Sequence, residues 1–240
     1  MELALFFLSA LFAEIAGTVA GFGSSTIFLP LALFFVEFRA ALILVALFHV
    51  CGNLAKLTFF RRGFDWKLFL MFGIPSFILT VIGALLVTIV PQDALKLVLG
   101  LFLCVFSLWS LLDGIILPHA SWVTMLGGCV SGFFAGLLGT GGAFRAAVLS
   151  SLKLRKDMYI VMNAAIAILV DLTRIPVYLW SGFLPSGGWL VALGLAVIAM
   201  FGAFVGKRIV DVLPQKAFRI IVLSAIGLVG VKFVFDFLAG

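Results

Sequence analysis

Apolar runs long enough to cross a bilayer recur along the whole chain, at 3–20, 42–60, 68–89, 95–112, 122–138, 158–180, 189–205 and 217–238. A hydrocarbon core about 30 Å thick takes roughly 20 residues of helix, so each run predicts a membrane-spanning helix. The connections are only a few residues long and leave no room for a soluble domain. Two shorter apolar stretches, 26–36 and 143–152, follow glycine-rich breaks after the first and fifth runs. They cannot span alone and predict half-helices. Backbone freed at such breaks cannot face lipid, so it must be buried in protein or line a wet cavity.

Order repeats along the chain as well. Gly21-Phe22-Gly23-Ser24-Ser25 matches Gly139-Thr140-Gly141-Gly142-Ala143, and Asn53-x-x-Lys56 matches Asp171-x-x-Arg174. With short loop insertions, Gly63-Phe64 falls on Gly182-Phe183, and Pro91-Gln92-x-Ala94-x-Lys96 on Pro214-Gln215-x-Ala217-x-Arg219. Such internal similarity is how many transporters are built. The expected fold is an all-α polytopic membrane protein with two pseudo-symmetric repeats, 1–116 and 117–240, of four long helices and a half-helix each.

Composition agrees: 65% of the residues are apolar, 11% are charged, and the mean hydropathy is +1.34, where soluble domains carry about 25% charged residues. The formal charge of +6 does not point to nucleic acid, because the basic residues sit at helix ends, where they suit anionic headgroups. Cys51, Cys104 and Cys129 lie inside apolar runs without CxxC spacing, so neither a disulfide framework nor a metal site is expected. No Lys or Arg precedes Arg39, so the first run lacks a signal peptide's basic flank and is expected to be retained.

Ionisable side chains at membrane depth are costly and usually serve a pathway. Glu14, His49, Lys56, Arg145, Asp171 and Arg174 qualify. A half-helix starting near Ser25 would aim free N–H groups and a positive dipole end into the first break, and Gly141 and Gly142 would do the same in the second. Gly23, Ser24, Ser25, Gly141 and Gly142 are therefore candidate ligands of a small anion; the competing reading is close helix packing by small residues. The i, i+3 pairs Asn53/Lys56 and Asp171/Arg174 each share a helix face. They could meet the anion, or Lys56 could snorkel and Asp171 and Arg174 could pair with each other. Arg145, one turn after the second break, has apolar Ile27 as its counterpart and adds a directional cation, the competing reading being an interfacial arginine. Lys56, Arg145 and Arg174 outweigh Glu14 and Asp171, which favours an anion. Glu14 and His49 are candidates for proton coupling, with plain hydrogen-bonded packing as the alternative for His49; Asn163 reads as a helix–helix hydrogen bond. No nucleophile elbow, metal-ligand cluster or phosphate loop is present, so no enzyme and no cofactor are expected.

The doubled Gly-x-Gly-small-small element, with Pro30 seven residues after Gly23 in the first copy, resembles the TauE/SafE family of membrane permeases over nearly the whole chain. The copies depart from the family pattern at Ser24-Ser25, where glycines are usual, and at Val148, where a proline is. The resemblance implies a secondary transporter, acting as an exporter, for sulfite, sulfonates such as sulfoacetate or a related organic anion. Its expected place is a cell membrane, in bacteria the inner one. The expected partners are the anion, the lipid bilayer and a second copy of the chain, and no nucleic acid. An anion channel or a non-transporting assembly or signalling subunit is the alternative.

Sidedness distinguishes two topologies. If the half-helices merely extend the runs before them, Arg39, Lys96, Lys153, Arg155, Lys156, Lys207, Arg208, Lys216 and Arg219 share one face, against Arg61, Arg62, Lys67 and Lys232. If each half-helix turns back, the halves are inverted: Lys96 joins Arg39 and Lys232, while Arg61, Arg62 and Lys67 join the majority. Inversion gives the cleaner bias and is the usual basis of alternating access. Cysteines placed at positions 62 and 155 are expected to react with an impermeant thiol reagent from the same side; reaction from opposite sides rejects inversion.

Overall fold

The structure, a computed structural model, describes residues 1–21, 23–59, 63–112, 118, 120–209 and 215–239, with the side chains of residues 215 and 216 outside that set. The described residues form ten helices: α1 (Glu2–Ala20), α2 (Ser25–Ala32), α3 (Phe38–Phe59), α4 (Trp66–Ile89), α5 (Gln92–Leu111), α6 (Ser121–Leu138), α7 (Gly142–Ser151), α8 (Lys156–Trp180), α9 (Gly188–Ile209) and α10 (Gln215–Ala239). All except α2 and α7 are long and apolar enough to cross a membrane, eight in all.

The two breaks use the same device. Gly21 (φ 81°) ends α1 and donates its N–H to the Gly17 carbonyl, and Gly139 (φ 73°) ends α6 with its N–H on Ala135. Only glycine enters that left-handed conformation freely. The chain then doubles back. Ser24 lies against Gly17, whereas Phe28 and Phe35 both contact Phe6, so α2 retraces α1 toward its start. In the same way Gly141 abuts Ser131, and Val148 lies against Gly127, nearer the start of α6.

Two boundaries differ from the hydropathy reading. α2 stops at Ala32 rather than at residue 36, because 33–36 pass into tight turns that remain apolar. α3 starts at Phe38 rather than at 42, because Arg39 is anchored. Its Nη2 donates to the carbonyls of Val87 and Thr88 at the C-terminal end of α4, and its guanidinium lies 5.5 Å from the Phe183 ring. The last carbonyls of a helix lack intrahelical partners, and a cation completes them.

Packing puts the helix ends into two groups. Gly63 touches Met158, and the Asp65 N–H meets Met162 Sδ, so the α3–α4 connection lies beside the start of α8. Lys67 and residues 120, 121, 152 and 154 line one hollow there. At the opposite end, Arg39 meets Phe183, and Lys232 lies near Phe34 beside Asp93 and Lys96. Lys67, Lys153, Arg155, Lys156, Lys207 and Arg208 thus gather at the first end, and Arg39, Lys96 and Lys232 at the second. Arg61 and Arg62, singled out in the sequence, are outside the described residues, as are Pro214 and the side chain of Lys216.

The most extensive helix pairs, α4 with α6 and α5 with α10, each join the first half of the chain to the second. Between α4 and α6 the contact is backbone on backbone. Gly128, Gly132 and Gly136 present no Cβ to the carbonyls of Phe72, Ser76 and Thr80, which a Cβ would approach to 2.4, 2.3 and 2.2 Å. Ser76 Oγ donates to the Gly128 carbonyl at 2.9 Å, and Thr80 Oγ1 to that of Gly132 at 3.1 Å. Close approach of this kind, with hydroxyls bridging helices, replaces the hydrophobic drive that lipid removes. Gly132→Val forces the helices apart and is expected to cost at least about 1–3 kcal/mol, read as a lowered thermal midpoint of the detergent-purified protein; Gly132→Ala costs less.

Candidate functional site

The breaks meet at the centre. Thr26 Oγ1, in the first turn of α2, lies 2.8 Å from Thr140 Oγ1 in the second break, and both residues are buried. A Cβ on Gly23 would sit 3.7 Å from His49 Nε2 and 3.9 Å from Gly142 Cα. The start of α2, the start of α7 and the His49 ring therefore share one small volume. Ser24 and Ser25 are buried in it, as are Gly141 and Gly142. Ser24 has helical dihedrals and makes no capping bond, which leaves its Oγ without a partner. His49 Nε2 is likewise buried and unpartnered. Unsatisfied buried polar atoms are uncommon because each costs about 1–3 kcal/mol. Two of them flank a pair of helix N-termini here.

One face of α8 organises the site. At spacings of three, four and eight residues, five of its side chains reach four other parts of the chain. Tyr159 donates to the Gly21 carbonyl at 2.9 Å, tying down the first break. Asn163 Oδ1 accepts from Arg145 Nε of α7 at 2.6 Å. Asp171 accepts from both sides: its Oδ2 lies 2.7 Å from His49 Nδ1, and its Oδ1 takes Arg174 Nε at 2.9 Å and Nη2 at 2.6 Å. Arg174 Nη1 continues to the Ala135 carbonyl, and Tyr178 donates to that of Gly136, at the end of α6. Tyr159, Thr26 and Thr140 were not singled out in the sequence. The only signal for the threonines was polarity beside a break.

The remaining candidates sort by partner. Lys56 reaches Glu14 at 2.7 Å from α3 to α1, and Glu14 is fully buried between Gly52 and Gly202. The pair is held by charge, without hydrogen-bond alignment. Asn53 donates to the His49 carbonyl of its own helix. Asp171 and Arg174 pair, the second of the two readings left open for them, and Asn163 bridges α7 and α8. Arg145 differs from Lys56 and Arg174: it is buried, yet its hydrogen-bond partner is a neutral amide. A buried charge without a counter-charge is unfavourable by several kcal/mol. The counter-charge that acts on Arg145 is Asp171, felt through space and shared with Arg174 and His49. Among the described residues, no three His, Cys, Asp or Glu side chains converge as a metal site would require.

Eight apolar spans around two re-entrant half-helices, with a polar centre at their meeting point, define a polytopic membrane protein. The family profile described as Sulfite exporter TauE/SafE matches residues 6–233. The chain belongs to this family, which is one of membrane transporters. No curated protein and no solved structure matches it.

Removing one member of the buried Asp171 cluster strands the others. Asp171→Ala leaves Arg174 without its counter-charge and is expected to destabilise by about 3–5 kcal/mol; adding Arg174→Met recovers part of that loss. Thermal unfolding of the two variants in detergent measures the difference.

Proposed function

We propose that this chain is a secondary transporter exporting a small sulfur-containing anion, such as sulfite or sulfoacetate, held where the two breaks meet. The observation that carries the reading is the junction itself: two half-helix starts, bridged by Thr26 and Thr140, with His49 Nε2 and Ser24 Oγ unpartnered beside them. An oxyanion there accepts hydrogen bonds from the N–H groups around Ser24, Ser25, Gly141 and Gly142 and from the Ser24 hydroxyl. Arg145 supplies the charge that Asn163 does not balance. Lys56 and Arg174, already paired with carboxylates, shape the field around the site instead of closing on the anion.

Alternating access follows from inverted repeats, and the turn-back of α2 and α7 together with the grouping of helix ends supports inversion. Because α4–α6 and α5–α10 each bond across the halves, the bodies that rock against each other are helix groups mixing both halves, not residues 1–116 against 117–240. Burial of Ser24, Ser25, Thr26 and Thr140 favours a carrier over an open channel.

Arg145→Ala is expected to weaken sulfite binding to purified protein about tenfold to a hundredfold; unchanged affinity removes Arg145 from the site. Proteoliposomes preloaded with unlabelled sulfite should accumulate radiolabelled sulfite by counterflow, and flux without counterflow or saturation indicates a channel.

A further inference from the structure

One nitrogen at the junction has the wrong polarity for an anion. His49 Nδ1 lies 2.7 Å from Asp171 Oδ2, while the other oxygen of Asp171 takes Arg174 Nε and Nη2. A carboxylate held in this way only accepts hydrogen bonds, so Nδ1 carries the ring proton. Nε2 of the neutral imidazole is then a bare lone pair. It is buried and without a partner, and a Cβ on Gly23 would stand 3.7 Å from it. A lone pair and an oxyanion oxygen repel each other at hydrogen-bond distance unless a hydrogen lies between them. Charged groups on the surrounding elements do not remove that conflict. On α8 they are Asp171 and Arg174, with the Tyr159 and Tyr178 hydroxyls on backbone carbonyls, and on α7 Arg145, bonded to Asn163. Glu14 of α1 already has its counter-charge in Lys56 of α3. α2, α6 and both breaks carry no charged residue; Lys207 and Arg208 lie in the last turn of α9, and Asp93 and Lys96 at the start of α5.

We infer, resting on the anion reading of the junction given above, that His49 Nε2 is a proton site and that the junction binds one anion and one proton together. The hydrogen between Nε2 and the anion has two sources. Hydrogen sulfite brings its own O–H, which donates to the neutral ring. A sulfonate has no O–H and binds once a hydronium ion of the access water has given its proton to Nε2, whose N–H then donates to a sulfonate oxygen. No bond to the ligand forms or breaks in either case. On release the proton leaves on hydrogen sulfite or returns from Nε2 to water, so both routes carry one proton per anion, and a sulfonate monoanion crosses with its charge balanced. The proton tightens anion binding by the same factor by which the anion tightens proton binding. Asp171 is the positioning residue: it fixes the tautomer and steadies the imidazolium, while Arg174 holds the carboxylate in place.

The test is calorimetric titration of the purified chain with sulfite and with methanesulfonate, which has no titratable proton, in buffers of different ionisation enthalpy. For each anion that binds, Kd should rise on the alkaline side toward about tenfold per pH unit, and methanesulfonate should draw up to about one proton per anion from the buffer. A Kd that stays flat to about pH 9, with no proton drawn, overturns the proton site. His49→Gln offers an uncharged N–H at similar reach, so its Kd for methanesulfonate should be flat and its proton uptake lost. A slope that persists in this variant assigns the proton to another group, Glu14 foremost, and also overturns it; a histidine that only packs gives that result. A second measurement leaves the site untouched. The chain has two histidines, so His119→Gln leaves His49 as the single source of signal in protein labelled with nitrogen-15 histidine. Saturating methanesulfonate at alkaline pH should move the Nε2 resonance from the lone-pair range to the N–H range, and an unmoved resonance under bound anion overturns the assignment. Saturable binding of neither anion would instead defeat the anion reading of the junction, and the proton site with it.

Discussion

A peptide group released from a helix at membrane depth must find its partner inside the protein, and the architecture of this chain follows from meeting that demand twice. At the first break Tyr159 takes the Gly21 carbonyl. At the second, Ser131 Oγ donates to the carbonyl of Gly141. The threonine hydroxyls that belong to neither helix ladder satisfy each other across the centre. What is left over, the Ser24 hydroxyl, the far nitrogen of His49 and the first N–H groups of α2 and α7, is gathered in one place. The half-helices are thus held by their own unmet hydrogen-bonding capacity as much as by apolar contact.

The same economy governs charge. Every ionisable group that the apolar runs carry inward finds a partner on another helix or a turn away, and α8 provides most of them along one face from Tyr159 to Tyr178. Such a stripe ties α3, α6, α7 and the first break to a single rod. Arg145 is the exception in kind, since its hydrogen-bond partner is an amide.

Hydropathy made the eight spans and both half-helices legible, because depth in a membrane is written in the length of apolar runs. The i, i+3 spacing made the Asp171–Arg174 pair legible as one of two readings. It could not reveal that Asp171 also meets His49, or that Lys56 meets Glu14, since those contacts depend on how helices distant in sequence are rotated about their own axes. Rotation is set by close packing such as that of Gly128, Gly132 and Gly136, which in the sequence look like any other small residues. For the same reason Tyr159 went unnoticed: a tyrosine near a helix start reads as an interfacial anchor until its hydroxyl is seen on Gly21.

The seam between α4 and α6 has a consequence for how this chain can vary. Its contacts are to main-chain oxygens of α4, which every amino acid possesses. The α6 side is therefore bound by one rule, size, at three positions a helical turn apart, while on α4 the same rule binds Gly83, where a Cβ would meet the Phe133 carbonyl, and Ser76 and Thr80 are held by their hydroxyls. Substitutions should accumulate unequally on the two helices, with Phe72 free to drift among large apolar residues opposite a glycine that cannot.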